Sequence, residues 1–291
     1  MSRLRTAARY GLFPLVMFGG LPLAWWAMQH IEPPKVVAAV ALGTALLVAV
    51  AERLMPFDDR WNRPHDDRLT DTLHTAISFV ALSEVLRALF LAALAALVGA
   101  AAVPWTLWPV DWPWAAQLLL ALIVAELPYY WLHRWMHTVP ALWRLHAVHH
   151  SAQRMYWLNA GRFHPLDAGL IFFTQLPVLM LLGVPPAILS MFLIVGAIHG
   201  LFQHGNLDLR LGPLNHLFAM AELHRWHHAR QGPGGHSNYG GNLICWDLIF
   251  GTRYHPGHDI PADGIGFEGD THYPTDYPGQ LAAPFRRAPN G

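Results

Sequence analysis

The stretch WAAQLLLALIVAELPYYWLHRWMH, residues 114–137, carries an apolar run straight into a pair of histidines. Residues 114–132 hold one acid, Glu126, and no base, which reads as a membrane-crossing helix. His133 and His137 follow at i and i+4, on one face of that helix as it emerges, where two imidazoles can reach one metal ion.

Three apolar runs precede it, at 11–29, 36–51 and about 75–103. The first lies behind Arg3, Arg5 and Arg9 and superficially resembles a signal peptide. The second follows without a convincing cleavage site, so both read as retained spans. After the first histidine pair, residues 168–202 are again apolar but interrupted at Gly183, Val184, Pro185 and Pro186. That predicts two helices joined by a tight turn, crossing fully or dipping in as a hairpin. The expected fold is all-α: a polytopic helical membrane protein of about four full spans plus a helical hairpin, with a histidine-rich helical cap.

Composition agrees. The 291 residues are 54% hydrophobic and 13% charged with a mean hydropathy of +0.26, too apolar for a soluble domain of this size. Net charge is zero with histidine neutral, so no basic face points to nucleic acid. The one cysteine, Cys245, excludes an intrachain disulfide and any thiolate cluster, which leaves nitrogen and oxygen as metal donors. The 19 histidines supply the nitrogen. Lys35 is the sole lysine among 19 basic residues, a bias suggesting a GC-rich bacterial genome.

Basic residues in short loops favour the cytoplasm. The expected outer loops hold only Lys35. The inner segments hold Arg3, Arg5 and Arg9, then Arg53, Arg60, Arg63 and Arg68, then Arg134, Arg144, Arg154 and Arg162, and later Arg210, Arg225, Arg230 and Arg253. Both termini and the histidines are therefore expected on the cytoplasmic side, in a bacterial inner membrane. Trp25, Trp26, Trp105, Trp108, Trp112 and Trp114 crowd the opposite boundary, as indoles do at headgroup depth. No repeat stands out. The expected organisation is N-terminal spans over 1–110, a catalytic region over 111–254, and a Pro-, Gly- and Asp-rich tail over 255–291 that reads as loop.

Two further motifs follow the first: HAVHH gives His146, His149 and His150, and HRWHH gives His224, His227 and His228. On helices, each triplet can converge on a single point. His199 and His204 lie between them, at the inner end of the last apolar segment. One histidine at an interface reads as a half-buried polar residue; eight in three compact motifs read as a metal site. Imidazole suits zinc, copper, iron and nickel, whereas calcium or magnesium would need carboxylates that these motifs lack. Eight nitrogens exceed one ion's needs, so two metals with about four imidazoles each are expected.

HRWMH, HAVHH and HRWHH resemble the HxxxH, HxxHH and HxxHH boxes of the fatty acid hydroxylase and sterol desaturase superfamily, in that order. The surroundings HHSAQRMYWLNAGRFHPLD, FQHGNLDLRLGPLNH and HHARQGPGGHSNYGGNLICWDLIFGT also resemble its bacterial members, so that the likeness covers about 115–253. It implies that His133, His137, His146, His149, His150, His224, His227 and His228 are metal ligands and that His204 joins them, with His199 a further candidate. It implies two iron ions, dioxygen and a lipid C–H bond that is hydroxylated or desaturated. Zinc competes for the same imidazoles and is an expected occupant of purified protein. Electrons are expected from outside, from a ferredoxin, cytochrome or reductase, because the chain has no haem-attachment, iron–sulfur or nucleotide-binding motif. An apolar tunnel from the bilayer to the metals is also expected.

His164 in RFHP and His236 in HSNYG lie inside the resembling stretches, as ligands or as groups that orient ligands. Glu126, one turn from Tyr130 and two from His133, is either a carboxylate that fixes an imidazole or a structural acid. Asn238 either supports the metal site or makes a turn, and His216 likewise divides between a turn and a supporting role. Glu84 and Arg87, three apart, are expected to pair. His30, His65, His74, His255, His258 and His272 are given no role. GPGGHSNYGG, residues 232–241, lacks the lysine of a phosphate loop. Two rival readings remain: a membrane protein that binds or transports metal, and a zinc-dependent lipid hydrolase.

Overall fold

The computed structural model describes residues 3–63, 65–98, 107–269 and 272–286, so Trp105 and the 99–103 end of the third apolar run lie outside it. No strand occurs among the described residues; three isolated bridges, Pro56 to Leu207, Phe218 to Leu243 and Ala229 to Ile265, pin loops together.

Helix α1 (Arg3–Ala27) contains a π-turn at Leu15–Gly19, and α2 is Pro33–Leu54. Helix α3 starts as Arg68–Leu73, widens to a π-helix over His74–Ala81 and continues as Leu82–Val98. Helix α4 is Trp114–Thr138, followed by α5 (Pro140–His150), α6 (Pro165–Leu181), α7 (Pro186–His204), α8 (Ala221–His227), α9 (Cys245–Phe250) and α10 (Tyr277–Ala282). Five of these helices, α1 to α4 and α7, are long and apolar enough to cross a membrane, while α6 is shorter. The break before α7 falls where the sequence predicts it, with Gly183 at φ 80° and proline opening α7. Helix α4, at 25 residues, is roughly 37 Å long against a hydrocarbon core of about 30 Å, enough to cross with more than a turn to spare. His133 and His137 are in its last two turns.

Helix α7 is the centre of the bundle: half of its apolar window is buried, against 6% for α3, which is the most exposed span. Ile188, Met191, Ile194, Ile198 and Phe202 of α7 pack with Phe13 and Met17 of α1, Val48 of α2, and Ala121 and Ala125 of α4. Lipid is as apolar as these side chains, so cohesion comes from close packing, which the small side chains of Ala121 and Ala125 permit. Glu84 and Arg87 pair at 2.5 Å.

The segment between α5 and α6 is clamped to the N-terminal spans by buried charge. Arg154 donates to both oxygens of Asp67 at 2.6 and 2.9 Å and to the carbonyls of Trp61 and Arg63. Arg162 pairs with Asp71, which also accepts from the Tyr156 hydroxyl at 2.6 Å. Glu52 accepts from the backbone N–H groups of Trp157 at 2.7 Å and Asn206 at 2.8 Å.

The tail is not simply loop. Asp276 caps α10 by accepting from Gly279 N at 2.8 Å, with proline in its first turn. The helix is docked: Gln280 Oε1 lies 2.8 Å from His74 Nε2, and the Leu281 carbonyl 3.2 Å from His164 Nε2. The residues that made the composition look like loop are those that start this helix.

Candidate metal centre

Nine histidines from α4, α5, α7, α8 and the residue after α8 converge into two groups. His133, His137, His146, His150 and His227 form one, and His149, His204, His224 and His228 the other; within each group one nitrogen per residue lies within 4.8 Å of all the others. All nine are buried. The expectation that each triplet meets at one point does not hold. His146 and His150 go to the five-histidine group and His149 to the other; His224 and His228 go to the four-histidine group and His227 to the other. The cause is helical geometry: residues i and i+4 are offset by about 40°, whereas i+3 lies about 60° the other way, so it serves a neighbouring centre.

Backbone and side-chain acceptors fix the rings. His133 Nδ1 donates to the Tyr239 carbonyl at 2.7 Å, His227 Nδ1 to Ser237 at 2.8 Å and His149 Nδ1 to Arg162 at 3.1 Å. His204 Nδ1 donates to Asn159 Oδ1 at 3.0 Å, and His146 Nδ1 to the Asp167 carboxylate at 2.9 Å. His149 is also stacked on Phe163 at 4.4 Å. Gly161 lets the π-helix of α3 approach this segment, since a Cβ there would lie 2.5 Å from Thr75 Oγ1.

With Nδ1 donating, Nε2 of each of these five rings carries a lone pair. His133 Nε2 faces His146 Nε2 at 3.1 Å with a lone pair on both, whereas His224, whose Nδ1 has no partner, can donate Nε2–H to His204 Nε2 at 2.9 Å. Lone pairs opposed at 3.1 Å repel unless a cation lies between or beside them. Imidazole nitrogens at right angles on a metal with bonds near 2.1 Å would sit about 3.0 Å apart. Nε2 of His137, His150 and His227 and Nδ1 of His224 and His228 are buried without a partner. Buried polar atoms are rarely left so, and five in one place call for an ion. The donor set thus fits two imidazole-bound transition metals.

Burial, followed by neighbouring histidines, pushes His149, His150, His224 and His228 well below the usual imidazole value of 6.5. His227 is lowered to about 3, by burial first and His146 after the opposing Ser237 carbonyl. The folded chain binds fewer protons than the unfolded one, so stability is present above 6.5 and lost as pH falls from there toward 3. Protons also compete with metal. Metal content measured after equilibration at about pH 7.5 and about pH 5 is expected to fall at the lower value.

A cavity of about 470 Å³ opens onto His137, His150 and His227, all of the five-histidine group, between Trp143, Arg230, Gln231, His236, Phe267 and Glu268. A second, apolar cavity of about 290 Å³ lies among Met17, Leu21, Leu118, Leu122, Val195 and Phe218 in the spans, and no clustered histidine lines it. The two linings share no residue, so the expected tunnel is not continuous through them.

The other candidates lie elsewhere. His164 caps α6, accepting from Leu166 N at 3.2 Å. His199 is buried against Phe13 and Phe218, outside both groups, with neither nitrogen partnered. His236 lies at the cavity mouth, its ring 6.4 Å from that of His137. His216 is exposed on a 3-10 turn. Glu126 reaches no imidazole; it accepts from Gly241 N at 2.9 Å, Asn242 N at 2.6 Å and Asn242 Nδ2 at 2.7 Å. Asn238, at φ 55°, is a turn residue that brings its amide to the Leu223 and Tyr254 carbonyls. Sequence reasoning missed Asp167 and Asn159. Asp167 had one signal, an acid just behind a helix-starting proline in FHPLD.

The fatty acid hydroxylase family model matches residues 118–252. The chain is 36% identical to the ornithine lipid hydroxylase OlsE of Rhizobium tropici over 98% of its own length and 86% of that protein. It is 32% identical to the alkylglycerol monooxygenase of Homo sapiens, over 50% of this chain and 31% of that one. It is 29% identical to the methylsterol monooxygenase 1 of Rattus norvegicus, over 50% and 53%. No solved structure matches.

Proposed function

This chain belongs to the fatty acid hydroxylase family, as a membrane-embedded lipid oxygenase, and on that premise we propose that its nine histidines hold two iron ions that oxidise a C–H bond of an amino-acid-bearing membrane lipid. The observation that carries the metal reading is the opposition of the His133 and His146 lone pairs at 3.1 Å in a buried cluster where five further ring nitrogens have no partner. The lipid class is supported by the near full-length likeness to an ornithine lipid hydroxylase.

When bound, iron supplies the activation of dioxygen that no side chain can perform. The chain's part is to hold nine imidazoles together, five of them with the tautomer fixed by an acceptor at Nδ1, to exclude water, and to bring the substrate to the exposed side of the five-histidine group. The 470 Å³ cavity suits a polar group, with Arg230 and Glu268 offering opposite charges beside the aromatic faces of Trp143 and Phe267. His164, His199, His236, Glu126 and Asn238 are then supporting residues rather than ligands. Arginine-rich inner segments favour a cytoplasmic centre in a bacterial inner membrane, and electrons come from a separate ferredoxin, cytochrome or reductase.

The test is conversion of an ornithine-headed lipid by membranes containing the chain, under isotope-labelled dioxygen with a ferredoxin and its reductase. Incorporation of one labelled oxygen atom, dependent on reductant, is expected. Product formed without dioxygen or reductant would replace this reading with hydrolysis, and metal uptake without any product would replace it with transport.

A further inference from the structure

We infer that the two metal positions are unequal, and that Asp167 is the positioning residue that makes the five-histidine position the tighter one. This rests on the two-metal reading above. The two groups are braced by different chemistry. In the four-histidine group the anchors are neutral: the Arg162 carbonyl behind His149 and the Asn159 side-chain oxygen behind His204. In the five-histidine group His133 and His227 also rest on carbonyls, but His146 rests on a carboxylate, Asp167 Oδ2, at 2.9 Å.

Asp167 is fully buried, and His146 is the only partner with which it forms an ion pair among the described residues. Its other oxygen, Oδ1, is buried and accepts nothing. Its place in the first turn of α6 gives it the partial positive field of a helix start, but no N–H is aimed at Oδ1. A buried negative charge held this way is costly unless a positive charge lies close by. The imidazoles are neutral as ligands, so the compensating charge is the metal itself, one ring away. Through that ring the carboxylate makes His146 a stronger donor, and it fixes the tautomer that turns Nε2 toward the centre. Among the described residues, no carboxylate is hydrogen-bonded to a ring of the four-histidine group. The position that Asp167 strengthens is also the one open to the 470 Å³ cavity, where a ligand must hold its metal against exchange with solvent.

The test is cobalt(II) titration of the metal-free full-length chain in detergent, followed by the visible absorption of imidazole-bound cobalt, for wild type and Asp167→Asn. The wild type is expected to take two equivalents, one tighter. In Asp167→Asn the tighter class is expected to weaken about 10- to 100-fold with the other unchanged. Asparagine removes an uncompensated charge, so the metal-free variant is expected to melt at or above the metal-free wild type while gaining less from cobalt. Equal weakening of both classes, no weakening, or a lower melting temperature without metal would overturn the assignment, the last by making Asp167 a structural residue. A wild type that binds no cobalt would fail the two-metal reading instead.

Discussion

His227→Ala is expected to cripple lipid oxidation and to weaken metal binding at the five-histidine position. His227 sits in contact with His133, His137 and His150, with ring centroids at 4.5 to 4.8 Å, and its Nε2 is buried without a protein partner. Alanine removes one donor and leaves a void beside the cavity that water can enter. Metal activation contributes several kcal/mol, and each 1.36 kcal/mol is tenfold in rate, so activity is expected to fall on the order of 10³-fold or more. Turnover measured with metal content per chain checks it: a variant retaining both metals and most of its activity would remove His227 from the centre. His164→Ala, at the start of α6 and outside both groups, is expected to keep both metals.

The second large effect is on stability. Glu126→Ala removes a fully buried acceptor for three donors from Gly241 and Asn242. Each buried donor left unmade costs roughly 1–3 kcal/mol, so a loss of about 3–9 kcal/mol is expected. The loop so released continues back through Gly240 and Tyr239, whose N–H groups are held by Asp247 at 2.7 and 2.8 Å, and the Tyr239 carbonyl anchors His133. Thermal melting in detergent, with and without metal, is the check. A drop of only a degree or two would show that water replaces the carboxylate.

What the sequence carried and what it hid follow from the range of the interactions involved. The spans and the break before α7 are local: apolar length and a Gly–Pro turn declare them. Eight of the nine histidines are also local, as a pair and two triplets at helical spacing, while His204 stands alone in the sequence. Their sorting into two groups is not, because it depends on where α4, α5, α7 and α8 sit around each other, and a triplet cannot tell which neighbour each of its faces will meet. Asp167 lies 21 residues from His146, and Asn159 lies 45 from His204. Such pairings are set only when the helices have packed. Glu126 shows the same limit: its helical phase toward His133 was legible, but its true partners are more than 100 residues away.

The cavity over the five-histidine group joins two kinds of residue. Its lining includes the clustered histidines His137, His150 and His227, together with Gln231, Gly232 and Glu268, which lie outside both histidine groups. On the proposed function, the side chains that would hold metal and those that would meet the substrate are different ones, even where they share a stretch of chain, and mutation can change the second without touching the first. A lineage built this way can diversify its diet while inheriting its engine intact, in keeping with relatives named for an ornithine lipid, an alkylglycerol and a methylsterol.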